Sequence, residues 1–66
     1  MGQLNDLKMR IEQKIKTDGL DEALYMGKIG LSAGKLMAFV KPSTPDDPET
    51  IAKLKLAAKK FLNLAL

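Results

Sequence analysis

The chain has 66 residues, of which 45% are hydrophobic and 29% charged, with a formal net charge of +3 and neither cysteine nor histidine. A chain of this length forms one small domain, residues 1–66, and buries only about 60% of the surface that its unfolded form exposes. Disulfides, thiolate nucleophiles and the usual ligands of zinc, haem and iron–sulfur sites are excluded, so we predict no metal and no cofactor. We expect the thin core to be supported by association with a partner.

The sequence also predicts where the protein is found. Charged residues at Asp6, Lys8 and Arg10 interrupt the apolar run that a signal peptide needs, and the lack of cysteine suits a reducing cytoplasm. The longest weakly charged stretch, 29–40, has twelve residues and contains Lys35. It is shorter than the roughly 18 to 20 apolar residues that cross a bilayer. We therefore predict a cytoplasmic protein with no membrane span.

The first segment has the periodicity of an amphipathic helix. Leu4, Leu7, Ile11 and Ile15 recur at steps of three and four residues, which places them on one stripe. Gly19 follows this segment and favours a helix C-terminus, because glycine adopts the left-handed conformation at little cost. We predict a helix over residues 3–17.

The second segment, 20–41, has more apolar residues than one stripe can hold, which predicts a helix buried between its two neighbours. Its polar positions recur at steps of three and four and predict one narrow solvent-facing side, formed by Asp21, Tyr25, Lys28, Ser32 and Lys35. Gly27, Gly30 and Gly34 lie inside the segment, and each costs a continuous helix about 1 kcal/mol relative to alanine. The three glycines therefore need a structural or functional reason.

The third segment follows a proline-rich connection with prolines at 42, 45 and 48. Either Thr44 before Pro45 or Asp47 before Pro48 supplies an N-cap, and we predict a helix over residues 47–65. Its expected buried stripe is Ile51, Leu54, Ala58, Phe61, Leu62 and Ala65. Together the segments predict an all-α three-helix bundle with a central glycine-containing helix. The alternative is a four-helix arrangement with a helix-turn-helix at 20–41.

The alternative depends on residues 25–39, which resemble a helix-turn-helix motif. In that motif Ile29 closes the first helix, Gly30 takes the left-handed turn position, Leu31 plugs the core and Ser32 caps the second helix. The resemblance implies a DNA-binding regulator. Met26 departs from the motif, which needs a small residue at that position.

A different interpretation treats the same segment as one continuous helix with a ridge of small residues. The ridge has steps of three and four residues and would let a second helix approach closely, either within the chain or in a second subunit. We therefore predict a helix-packing or dimer interface formed by Ala23, Gly27, Gly30, Gly34 and Ala38.

The lysines are the candidate contacts for an acidic partner or a phosphate. Most charges have the distribution that helix dipoles favour, with acidic residues such as Asp46, Asp47 and Glu49 opening a helix and lysines closing one. Arg10 is the only arginine, and arginine is the preferred side chain for base contacts, which weakens a nucleic-acid function. The candidate contact residues are Lys35, Lys41, Lys53, Lys59 and Lys60.

Catalysis has few candidate groups in this chain, and we predict that it is not an enzyme. The stretch 30–36 resembles a phosphate-binding loop, but it has three residues between its glycines instead of four, and Leu36 replaces the magnesium-binding Ser or Thr. The favoured function is a non-enzymatic helical protein–protein interaction module, self-associating, that binds an acidic or apolar partner surface. The alternative function is the helix-turn-helix DNA-binding regulator.

Overall fold

Three α-helices form in chain order: α1, Gln3–Thr17; α2, Glu22–Ser32; and α3, Pro48–Leu62. The computed structural model describes residues 2–37, 40 and 46–65. Within these residues every regular element is a helix, and each helix packs against the other two. The predicted all-α three-helix bundle is therefore confirmed.

α1 has the predicted bounds and the predicted buried stripe, since Leu4, Leu7, Ile11 and Ile15 all lie in the core. The helix also ends where the sequence predicts. Gly19 is left-handed at φ 67°. The N–H of Gly19 donates to the Lys16 carbonyl at 3.1 Å, and the N–H of Leu20 donates to the Ile15 carbonyl at 3.0 Å. This is a Schellman motif, which satisfies carbonyls that the end of the helix leaves free.

α2 is shorter than predicted, and the continuous helix over 20–41 is wrong. Gly34 and Lys35 are both left-handed, at φ 76° and 63°. The N–H of Gly34 donates to the Leu31 carbonyl at 3.1 Å, and the N–H of Lys35 donates to the Gly30 carbonyl. A second Schellman motif therefore ends the helix after Ser32, because glycine at this position takes the left-handed conformation without strain.

The helix-turn-helix at Gly30 is also wrong. α2 runs unbroken through Gly30 to Ser32, so Gly30 is helical and Ser32 ends a helix instead of starting one. Leu31 is 67% exposed, whereas the motif requires it in the core. Phe39, the last residue of the stretch that resembles the motif, lies outside the described residues. In the part of the chain that the structure describes, the turn and the second helix of the motif are absent.

The prediction that the second helix is buried between its neighbours is wrong as well. Along α2 only Ile29 and Gly30 are buried, and α1 and α3 supply most of the core. Beyond the end of α2, two further apolar residues reach the core: Met37 is fully buried and Val40 nearly so. The Lys8 ammonium group donates to the Val40 carbonyl at 3.3 Å, which gives this buried backbone group a partner.

α3 begins where the second of the two predicted caps places it. Asp47 is the N-cap and Pro48 follows it in the first helical turn. The predicted stripe is largely confirmed, although Phe61 is half-buried and Ala65 lies exposed beyond the helix. Asn63, at φ 53°, ends the helix in the left-handed conformation. The buried residues of α3 are Ile51, Leu54, Ala57, Ala58 and Leu62.

Asp46 has a role that differs from its predicted one at the start of the third helix. Its carboxylate accepts the backbone N–H of Gln3 at 3.0 Å and that of Leu4 at 3.1 Å, so it caps α1. The neighbouring Asp47 caps α3 by accepting the N–H and the hydroxyl of Thr50, at 3.3 and 2.8 Å. Two consecutive carboxylates thus hold the N-termini of two different helices side by side.

The Asp46 contact predicts a loss of stability in acid. The N–H groups of Gln3 and Leu4 hold the pKa of Asp46 below its ordinary value. Stability from this contact is therefore complete above the unfolded-state pKa, about 3.9, and is lost as the pH falls through the lower folded-state pKa. We expect Asp46→Asn to lower the melting temperature at pH 7 by about 5 °C and to flatten its decline between pH 5 and 2, followed by circular dichroism. Glu22→Gln, which neutralises an exposed carboxylate of α2, should leave that decline in place.

Gly2 lies against Asp46, and a side chain there should displace the cap. A Cβ at Gly2 would collide with the Asp46 Oδ1 atom. We expect Gly2→Ala to destabilise the wild-type fold but to have little effect in an Asp46→Ala background, because the contact that it disrupts is already gone. A double-mutant cycle in urea measures this coupling. Additive effects would show that the two residues act independently.

Candidate interaction surfaces

The outward side of α2 is apolar. Ala23, Leu24, Gly27 and Leu31 are all exposed there, and we call this set the α2 face. Leu24 and Leu31 are 52% and 67% exposed. Residues three and four positions apart are neighbours on a helix, so the two leucines lie on one side with Gly27 between them. The sequence predicts Tyr25 on the solvent-facing side of this helix, but its side chain packs partly against the core.

The predicted ridge of small residues does not form a continuous seam. Gly30 is buried, and Gly34 lies past the end of α2 with a left-handed backbone, while Ala23 and Gly27 face outward. Ala38 lies outside the described residues. The structure therefore brings only Ala23 and Gly27 of the ridge together on one exposed side, next to leucines that the ridge did not include.

The sequence contains a signal for the exposure of Leu24 and Leu31, which were not among the predicted interface residues. Leu24, Gly27 and Leu31 are spaced as i, i+3 and i+7, the spacing of one helix face. The second segment contained more apolar residues than one buried stripe could hold, so one apolar side had to face outward if the helix lay at the surface. Periodicity alone does not decide which side that is.

The ends of α2 differ in charge. Asp21 is the N-cap and accepts the Leu24 N–H at 3.2 Å, and Glu22 follows it in the first turn. Lys28 lies in the second half of the helix and Lys35 just beyond its end. The Lys28 ammonium group is 5.2 Å from the centroid of the Tyr25 ring, a cation–π contact. The α2 face is thus bordered by the negative charges of Asp21 and Glu22 at one end and by Lys35 beyond the other, with Lys28 beside its middle.

A second exposed surface lies on the outward side of α3. Leu56 is 69% exposed there, and exposed lysines occupy neighbouring positions on the helix. Lys53 makes an exposed ion pair with Glu49 at 3.5 Å, and the Lys60 ammonium group lies 5.5 Å from the centroid of the Phe61 ring. We call this surface the α3 lysine face; its residues are Lys53, Lys55, Leu56, Lys59 and Lys60.

The net charge of the chain is concentrated on α3. This helix holds four lysines and one glutamate, a net of +3, and the rest of the chain holds seven cationic and seven anionic side chains. Three of the predicted lysine contacts therefore lie together on one helix. Lys35 lies apart from them beyond α2, and Lys41 lies outside the described residues.

A shallow groove separates α1 from α3 on one side of the bundle. It encloses about 220 Å³, and Asp6 contributes negative charge to it while Arg10 and Lys55 contribute positive charge. Pockets that bind small molecules usually enclose about 300 to 1,000 Å³ and are deeper and more apolar. The groove therefore offers little binding surface for a small molecule.

Asp46 and Asp47, the two carboxylates before α3, are already engaged in capping hydrogen bonds. The hydroxyl of Thr50 holds the pKa of Asp47 below its ordinary value, and the backbone N–H groups of Gln3 and Leu4 do the same for Asp46. Both carboxylates therefore remain ionised hydrogen-bond acceptors further into the acid range than an ordinary aspartate. Among residues 2–37, 40 and 46–65, the structure brings together no group of three or more acidic side chains that could hold a metal ion.

No protein-family model, curated protein or solved structure matches this chain. None of the helices that the structure describes is long and apolar enough to cross a membrane.

We predict opposite effects on stability for alanine substitutions at Gly27 and Gly34. A Cβ at Gly27 meets no atom of the described residues within 4 Å, so Gly27→Ala should raise the free energy of unfolding by up to about 1 kcal/mol through helix propensity. Gly34 is left-handed at φ 76°, and Gly34→Ala should lower it by about 1 kcal/mol. Urea unfolding at low protein concentration measures both. A loss of stability in Gly27→Ala would contradict the open environment of this residue.

Proposed function

We propose that this domain is a non-enzymatic protein–protein interaction module that self-associates through the α2 face. The observation that carries the proposal is the exposure of Leu24 and Leu31 on one side of a short helix. Large apolar side chains grouped on one side of an element are typical of interaction sites. We place the module in the cytoplasm, because a chain without cysteine suits a reducing compartment.

The size of the α2 face supports a weak and reversible association. Fully burying a leucine is worth about 1.5 to 3 kcal/mol, so covering the exposed half of Leu24 or Leu31 contributes about 1 kcal/mol. Two copies would cover four such side chains, about 4 kcal/mol, against an association cost of at least a similar size. Close packing and favourable charges must supply the remainder. We therefore expect a weak dimer that is populated only at about millimolar concentration and above.

The α3 lysine face supports the second part of the proposal, the binding of an acidic partner. All of the net charge lies on α3, and Leu56 provides an apolar contact at the centre of its lysines. In this arrangement the lysines attract an acidic protein surface over a distance, and the leucine packs against it on contact. This attraction is screened by salt.

The DNA-binding alternative lacks the geometry that motivated it. α2 continues through Gly30, and Leu31 faces solvent, so the described residues present no recognition helix after a turn. The lysines of α3 lie on an ordinary solvent-exposed helix with no arginine among them. No observation in the structure favours this function over protein binding.

Self-association is tested by replacing the two exposed leucines of the α2 face with lysines. In sedimentation velocity at increasing concentration, we expect the wild type to shift from monomer to dimer. Leu24→Lys and Leu31→Lys together should raise the dissociation constant at least about thirtyfold, because the apolar contribution of both leucines is lost.

The matched control is Met9→Lys with Leu56→Lys, which places two lysines on exposed apolar positions of α1 and α3. These residues are 59% and 69% exposed, similar to the two leucines of α2. The control pair should leave the dissociation constant unchanged. A monomer at millimolar concentration, or an equal effect of both pairs, would rule out association through the α2 face.

A further inference from the structure

Of the three glycines in the second segment, Gly27 is the one whose presence the described residues do not explain. Gly34 is needed for its left-handed backbone, and Gly30 is buried in the core. Gly27 is helical and exposed, and a Cβ there would meet no atom of the described residues within 4 Å. It costs helix stability, and no contact among residues 2–37, 40 and 46–65 compensates for that cost. A benefit in contact with another molecule would explain it.

The position of Gly27 fits the crossing point of a second helix. It lies between Leu24 and Leu31 along the helix, on one edge of the α2 face, and the exposed Lys28 lies at the same level on the opposite edge. A residue without a side chain at that point lets the backbone of another helix come close, and the leucines on either side then pack against it. The exposed leucines are an observation independent of the glycine, and they point to an apolar helix as the occupant.

The charges at the ends of α2 indicate that this helix is α2 of a second copy, in antiparallel orientation. A parallel pair would bring Glu22 against the partner's Glu22 and Lys35 against the partner's Lys35, and the two helix dipoles would be aligned. An antiparallel pair brings Glu22, in the first turn of each helix, toward Lys35, which lies just beyond the end of the other. One two-fold axis then relates identical surfaces, as in most dimers.

We propose that two copies of this chain pair antiparallel through α2, with Gly27 of both copies at the crossing point and Leu24 of one copy opposite the partner's Leu31. This inference rests on the proposed self-association and adds its geometry. The contact is symmetric, so each copy supplies both halves of the same apolar seam.

Single-cysteine variants test the orientation, because the natural chain has no cysteine. Leu24→Cys and Leu31→Cys are oxidised separately and as an equimolar mixture, and the disulfide dimers are identified by mass spectrometry. The antiparallel arrangement predicts that the mixed disulfide exceeds either homodimer at least fivefold. Leu56→Cys gives the background from random collision.

A predominance of the Leu24→Cys and Leu31→Cys homodimers would overturn the orientation while leaving self-association intact. Cross-linking at the background level for all combinations, together with a monomeric wild type in sedimentation, would overturn the proposed function as well. The two failures are therefore distinguishable.

Gly27→Gln tests the crossing point. Glutamine favours a helix over glycine, so the variant should unfold at a higher temperature than the wild type at a concentration where both are monomeric. Its side chain blocks close approach, so the dissociation constant of the dimer should rise at least tenfold. Ala52→Gln, which adds glutamine at an exposed position of α3, should leave the dissociation constant within twofold. An unchanged dissociation constant in Gly27→Gln would overturn the placement of Gly27 at the crossing.

Discussion

The left-handed turn at Gly34 and Lys35 determines the length of α2, and much of the remaining structure depends on that length. The helix ends at Ser32, and beyond the turn Met37 and Val40 lie in the core. α2 is left with few buried side chains of its own and lies at the surface of a bundle whose core comes mainly from α1 and α3.

Asp46 and Asp47, directly before α3, link the N-termini of α1 and α3. Asp46 and Asp47 are adjacent in the chain but accept hydrogen bonds from the N-termini of different helices. Each helix start carries N–H groups that have no partner within the helix, and a carboxylate satisfies them while also interacting favourably with the helix dipole. α1 and α3 are thereby aligned at one end, which supports the packing of their apolar stripes in a chain with a small core.

The exposed leucines follow from how α2 is oriented in this bundle. A helix that contributes little to the core exposes most of its surface to solvent. Because α2 has more apolar residues than it buries, some of them lie on that exposed surface. Leu24 and Leu31 therefore remain on the outside, separated by the smallest residue. A chain without cysteine or histidine gains stability when such a surface is covered, which links the thin core to the proposed association.

The sequence by itself determined the local structure in α1 and α3. Their apolar residues recur with the helical period over about four turns, and the end signals at Gly19, Asp47 and Pro48 act through the backbone of their own neighbours. Such signals need no knowledge of the rest of the chain. The sequence also located three of the four lysines of the α3 lysine face, Lys53, Lys59 and Lys60, because their positions follow from helical spacing; it did not single out Lys55.

Only the tertiary structure decided the end of α2, the side that it exposes and the target of the Asp46 carboxylate. A run of apolar residues with three glycines is compatible with a long helix, with a turn at Gly30 or with a turn at Gly34. The choice depends on which apolar residues the other two helices can bury. Asp46 shows the same limit, because its bonds to Gln3 and Leu4 join residues more than forty positions apart. Periodicity and capping rules describe neighbours in the chain, and contacts of this kind exist only after the helices have packed.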